Sequence, residues 1–117
     1  MDAAAAPPAE TRLAAKDCIP CRGGEPPLSA HVIAALLPQV PGWALAHGGT
    51  AIFRKYAFAD FDAAHAFADR VAALAQTQGH HPDIAFGWGY VKLRVWTHAI
   101  GGLHHNDFIL AAKINLL

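Results

Sequence analysis

Gly79-His80-His81-Pro82-Asp83, continued by an apolar hairpin that ends at Trp96-Thr97-His98, is the stretch on which the reading of the fold depends. Gly87-Trp88-Gly89 is a turn signal between two strand-like runs. In the second run Val91, Leu93 and Val95 share one face, and Tyr90, Lys92, Arg94 and Trp96 share the other. Folding at the turn gives an antiparallel hairpin that sets Ile84 roughly opposite Val95 and brings His80 and His81 near His98. Pro82 biases His81 to extended backbone. Successive side chains of extended chain point apart, so one of the pair is expected to share the direction of His98 and the other to face a different wall of the same pocket. Imidazole gives and takes protons near neutral pH, so three together read as an acid/base site. The plainer alternative is a set of surface histidines at a helix–strand junction.

Upstream, Phe61, Ala64, Phe67, Ala68, Val71, Leu74 and Ala75 recur at helical spacing after Asp60, a good N-cap. Gly79 suits the left-handed position that ends such a helix, which delivers the chain directly into His80-His81. Further back, Trp43 to His47 and Ala51 to Phe58 read as strands joined at Gly48-Gly49. A helix capped by Ser29 runs to about Leu37 and is stopped by Pro38 and Pro41-Gly42. Gly101-Gly102 breaks the chain before a last helix from about Asn106 to Leu116. Two hairpins separated by a helix, with helices at both ends, predict an α+β fold: a four-stranded antiparallel sheet with three helices on one face. The face bearing Tyr90, Lys92, Arg94 and Trp96 is then left uncovered, and its aromatics predict partial cover by another subunit in a homodimer or homotetramer.

The chain has 117 residues and no formal net charge, which suits one domain and gives no basic patch for nucleic acid. No apolar run reaches the length of a membrane span and the N-terminus lacks signal-peptide character, so the expected location is the cytoplasm. Residues 1–17 begin Ala/Pro-rich and are expected to form a disordered tail, with the domain over 18–117. The two cysteines form Cys18-Ile19-Pro20-Cys21 in a Pro/Gly-rich segment. A structural role is expected there, with redox chemistry or half of a zinc site as alternatives. Eight histidines raise a metal-binding reading through His80-His81 and His104-His105. Adjacent histidines reach one ion with difficulty and no His-x-x-x-His occurs, so no metal is expected.

Taken together, Gly79-His80-His81-Pro82-Asp83, an aromatic at Trp88 or Tyr90, Trp96-Thr97-His98, Gly101-Gly102-Leu103 and Asp107 resemble the pterin-4a-carbinolamine dehydratase family over about residue 18 to the end. The Cys-x-x-Cys followed by Gly-Gly and Pro-Pro-Leu is similar to many bacterial members. The resemblance implies a four-stranded sheet with three helices on one side, a dimer or tetramer, and dehydration of 4a-hydroxytetrahydropterin, the by-product of aromatic amino acid hydroxylases, to quinonoid dihydropterin. It implies no metal or organic cofactor. It implies that His80, His81 and His98 carry the chemistry, with His80 and His81 as an acid/base pair and His98 orienting or protonating the hydroxyl. Gln76, Pro82, Asp83, Trp96, Thr97 and Asp107 would bind substrate or support the histidines. Asp107 matches an acid of the family, yet it also suits the first turn of the last helix, where a capping role is expected.

Two departures from the family pattern stand out. Gln76 occupies a position, four residues before His80, where the family usually has an acid; an amide hydrogen-bonds a histidine but brings no charge. His104-His105-Asn106 stands where Ser or Thr usually caps the last helix. Gln76 and the Ala/Pro-rich tail keep a second reading open. Relatives of the family act as transcription-factor dimerisation partners and as Rubisco assembly factors of carboxysomes. The partner would then be a protein rather than a pterin, with a carboxysome-associated location.

Overall fold

Alternation along one strand sets the layering. Val91, Leu93 and Val95 are fully buried, whereas Lys92 between them is exposed. Each buried aliphatic side chain of this kind stabilises the fold by about 1.5–3 kcal/mol. The computed structural model describes residues 12–117. It contains α1 (Ala30–Leu36), β1 (Ala44–Ala46), β2 (Ala51–Ala57), α2 (Phe61–Gln78), β3 (Asp83–Gly87), β4 (Tyr90–Val95) and α3 (His105–Ile114). The strands form one antiparallel sheet in the order β1-β2-β4-β3. The three helices supply Ile33 and Leu36, Phe67 and Val71, and Phe108 and Leu110 to a single core on the inner face. The architecture is the α+β fold expected from the hydrophobic pattern.

Local chemistry fixes the ends of the elements. Ser29 Oγ accepts the Val32 N–H at 3.3 Å, and Asp60 Oδ1 accepts the Ala63 N–H at 2.9 Å. At the end of α2, Gly79 takes φ +64°, a left-handed conformation that costs glycine least. Its N–H and that of His80 both bond back to α2, the latter to the Ala75 carbonyl at 3.2 Å. The motif that terminates the helix therefore also fixes the backbone of His80.

Three details differ from the sequence reading. Ile84 pairs with Leu93 rather than Val95, because Gly87 still pairs with Tyr90 and only Trp88-Gly89 forms the loop. The first hairpin turns through a short helical turn, His47–Gly49, rather than a two-residue turn, and β1 is correspondingly short. Residues 12–17, assigned to the tail, lie against the fold: Leu13 is buried in the core and Lys113 Nζ donates to the Ala14 carbonyl at 2.9 Å. The remainder of the expected tail, residues 1–11, lies outside the described residues. No helix among the described residues is long and apolar enough to cross a membrane.

Candidate active site

Three backbone devices bring the histidines to one place. The end of α2 presents His80 and His81. The end of β4 presents Trp96. A bridge between Thr97 and Gly102, with the Thr97 N–H on the Gly102 carbonyl at 2.9 Å, closes a one-turn loop that carries His98. Together His80, His81 and His98 line a cavity of about 190 Å³, with Trp96, Thr97, Gly79 and Ala99. The His98 ring packs on the Trp96 indole at 4.2 Å between centroids.

Asp107 is the hinge of the arrangement. It is fully buried in the first turn of α3. Its Oδ2 accepts the His104 N–H and the Thr97 hydroxyl, both at 2.9 Å, and its Oδ1 accepts from His80 Nε2 at 2.5 Å. The expected capping role is thus one of three that this carboxylate performs. His104 serves as the N-cap in place of Ser or Thr, its Nδ1 accepting the Asn106 N–H at 3.0 Å. The other two bonds of Asp107 tie the helix start to the strand that leads to His98 and to His80 itself.

The hydrogen bonds set the tautomer that two of the rings take when neutral. With Nε2 of His80 donating to Asp107, its Nδ1 carries the lone pair. With His81 Nε2 donating to Gln76 Oε1 at 2.9 Å, the same holds for His81. Gln76 therefore orients its histidine as a carboxylate would, without contributing charge. Pro82 and Asp83 sit elsewhere. They line a cleft on the outer sheet face, where Asp83 pairs with Arg94 at 2.8 Å.

Sequence reasoning missed one wall of the cavity. Ile19 and Cys21, from the segment read as irregular surface chain, also line it. Asn106 holds that segment as a strand partner would, accepting the Ile19 N–H at 2.9 Å and donating to the Ile19 carbonyl at 2.6 Å. Gln78 adds a second clamp through the Cys18 N–H at 2.8 Å. These contacts join positions 60 and 87 residues apart, and no local pattern encodes them. Both cysteines are free thiols. Burial pushes the Cys18 thiol up to about 11, and its Sγ–H points to the Asn106 carbonyl, which suits packing rather than thiolate chemistry.

Cys21, Glu25 and His104 gather within 4.8 Å of one another, a set that could hold an ion. His104 fits that role badly. Its Nδ1 is committed to the α3 cap, which leaves the hydrogen on Nε2, facing Glu25 at 3.4 Å. A metal at Nε2 would move that hydrogen to Nδ1 and break the cap.

The family model for pterin 4 alpha carbinolamine dehydratase matches residues 26–117. The chain belongs to this family. Provisionally named pterin-4-alpha-carbinolamine dehydratases are similar along nearly their whole length. The protein of Methylococcus capsulatus is 49% identical over 105 residues, covering 90% of this chain and 92% of its own. That of Halorhodospira halophila is 45% identical over 105 residues, covering 90% and 96%. Among solved structures, a transcriptional coactivator/pterin dehydratase from Brucella melitensis superposes with a TM-score of 0.72 at 29% identity, covering 77% of this chain and 96% of its own. A pterin dehydratase-like protein described as a RuBisCO assembly factor in the alpha-carboxysome superposes at 0.55 with 26% identity, covering 64% and 87%.

Proposed function

We propose that the protein dehydrates a 4a-hydroxytetrahydropterin in the cytoplasm, as a homodimer or homotetramer, within tetrahydropterin recycling. The single observation that carries this reading is one cavity lined by three imidazoles, one of them held by a fully buried carboxylate. The reaction breaks the bond from C4a to its hydroxyl and forms a double bond from C4a to the adjacent ring nitrogen. The hydroxyl gains a proton and leaves as water, and the ring N–H gives up a proton. One group must be an acid and another a base. His81, with its Nδ1 lone pair, serves as the base toward the ring N–H. His80 takes part in the proton exchange with Asp107 beside it to balance charge, and His98, fixed against Trp96, orients or protonates the hydroxyl. Every proton that moves is handled by side chains of this chain, so the reading requires neither metal nor organic cofactor.

Gln76 favours a second reading, a dehydratase-like protein that binds a macromolecular partner such as Rubisco or an aromatic amino acid hydroxylase. The similarity to the carboxysome assembly factor supports it. Stopped-flow dehydration of a 4a-hydroxypterin separates the two. An enzyme exceeds the uncatalysed rate by at least about 100-fold, the low end for one acid or base group. Gln76→Glu then gains no more than about tenfold, since the imidazoles already carry both protons. A wild-type rate equal to the uncatalysed one, restored by Gln76→Glu, would leave the partner-binding reading standing.

A further inference from the structure

His104 stands at the N-cap of α3, where a hydroxyl is the customary acceptor, and it caps with a ring. The residue is buried, and its Nδ1 accepts the Asn106 N–H at 3.0 Å. A hydroxyl oxygen accepts at any pH near neutrality. An imidazole nitrogen accepts only while it lacks a proton, and both nitrogens of the charged ring are donors. Turning the charged ring over presents the Asn106 N–H with another donor, so the charged ring cannot cap the helix in either orientation. The cap is held on the alkaline side of the ring's titration and lost on the acid side.

The lining of the histidine cavity is tied to that cap. Asn106, whose N–H the ring holds, carries the side chain that clamps both the N–H and the carbonyl of Ile19. Asp107, the next residue, holds His80 and Thr97 while accepting the His104 N–H at 2.9 Å. At the other ring nitrogen, Nε2 stands 3.4 Å from Glu25 Oε2, and Glu25 Oε1 accepts the Cys21 thiol at 3.8 Å. Ile19, Cys21, His80 and Thr97 all line the cavity. The titratable groups that face His104 are thus Glu25 and Cys21 from the segment before α1, His105 edge-on at 6.3 Å between centroids, and Asp107 with His80 behind it. The Glu25 and Asp107 carboxylates favour the charged ring, and the cap favours the neutral one.

We propose that His104 is a proton-sensing positioning residue. Neutral, it caps α3 and holds Asn106 and Asp107 where the cavity needs them; protonated, it leaves the cap for Glu25 and releases both. The effect on turnover rests on the dehydratase reading, to which the proposal adds a pH dependence set outside the three cavity histidines. Imidazoles within the cavity charge in the same range, so a fall of turnover in acid does not by itself identify His104. The Asn106 amide, which bonds to that ring alone, does.

Amide NMR of the full chain between about pH 8 and pH 5, where imidazoles ordinarily charge, tests this without turnover. In wild type the protection of the Asn106 amide against hydrogen exchange, corrected for the intrinsic effect of pH, is expected to fall about fivefold, the worth of one cap. Its midpoint is expected to coincide with that of the His104 ring protons. In His104→Ser, whose hydroxyl accepts throughout the range, the protection is expected to persist. Glu25→Gln, which removes a charge that favours the protonated ring, is expected to move the midpoint to lower pH. In stopped-flow dehydration, the rate of His104→Ser relative to wild type is expected to be about fivefold higher at the acid end than at the alkaline end. A wild-type Asn106 amide indifferent to pH, a loss of protection that persists in His104→Ser, a midpoint unmoved or raised by Glu25→Gln, or a rate ratio independent of pH in an active enzyme would each overturn the proposal. The expected amide titration in a protein that does not dehydrate at any pH would uphold the proton-sensing cap while removing the enzyme reading.

Discussion

At the scale of single residues, Asp107 has the most to lose. Its carboxylate joins the backbone N–H of His104, the N-cap of α3, the Thr97 hydroxyl and the His80 ring in one buried position. Each buried polar group left without its hydrogen-bond partner costs about 1–3 kcal/mol, so removing an acceptor shared by three of them costs about 3–5 kcal/mol. Asp107→Ala is accordingly expected to lose about that much stability in urea unfolding, and Asp107→Asn less, since the amide oxygen can still accept from the cap. Both should lower dehydration more than His104→Ser, which restores a customary cap and leaves the His80 contact alone. Cys18 gives a pH signature of the opposite kind. Its folded pKa, about 11, lies above the ordinary 9.0. The folded state therefore holds the thiol proton more tightly than the unfolded chain. The associated stability is fully present below about pH 9 and is lost as pH rises toward 11. Thermal unfolding followed across that window should show a steeper alkaline decline in wild type than in Cys18→Ala, and thiol reagents at pH 8 should modify Cys21 well before Cys18.

At the scale of elements, the site depends on how helices and strands end. Gly79 ends α2 at φ +64°, and the same turn bonds the His80 N–H to Ala75. Gly79→Ala finds open space for its methyl but strained backbone, so about 1 kcal/mol of stability is expected to be lost, measured by denaturant midpoint. A misplaced His80–His81 pair would add a fall in turnover larger than that stability loss explains. These endings were legible in the sequence because they are local. Asp60, Gly79 and the alternation of Val91, Leu93 and Val95 each announce themselves within a few residues. The register of the second hairpin was read two residues off, since a Gly-Trp-Gly run fits loops of more than one length. The clamp of Asn106 on Ile19 could not be read at all, because a side chain that imitates a strand partner leaves no periodic trace. The three histidines were readable as a set. The roles of Asp107 were readable only in part: its cap followed from position in the helix, whereas its bonds to Thr97 and His80 required the fold.

At the scale of the whole molecule, three separate segments line one cavity, the segment that carries Ile19 and Cys21, the end of α2 and the chain that leaves β4, and the start of α3 braces it through the bond of Asp107 to His80. A separate cavity is lined by His47, Thr50, Arg94 and Trp96. Residues that act as one unit show losses that do not multiply, because removing any member already disables the rest. The dehydration rate of the His80→Ala/His81→Ala double variant, set against wild type and each single variant in stopped-flow, tests the shared cavity most directly. The account predicts a wild type about 100-fold or more above the uncatalysed rate and a double variant within about threefold of the slower single variant. A double variant slowed by the product of the two single losses, or a wild type no faster than solution, would contradict it.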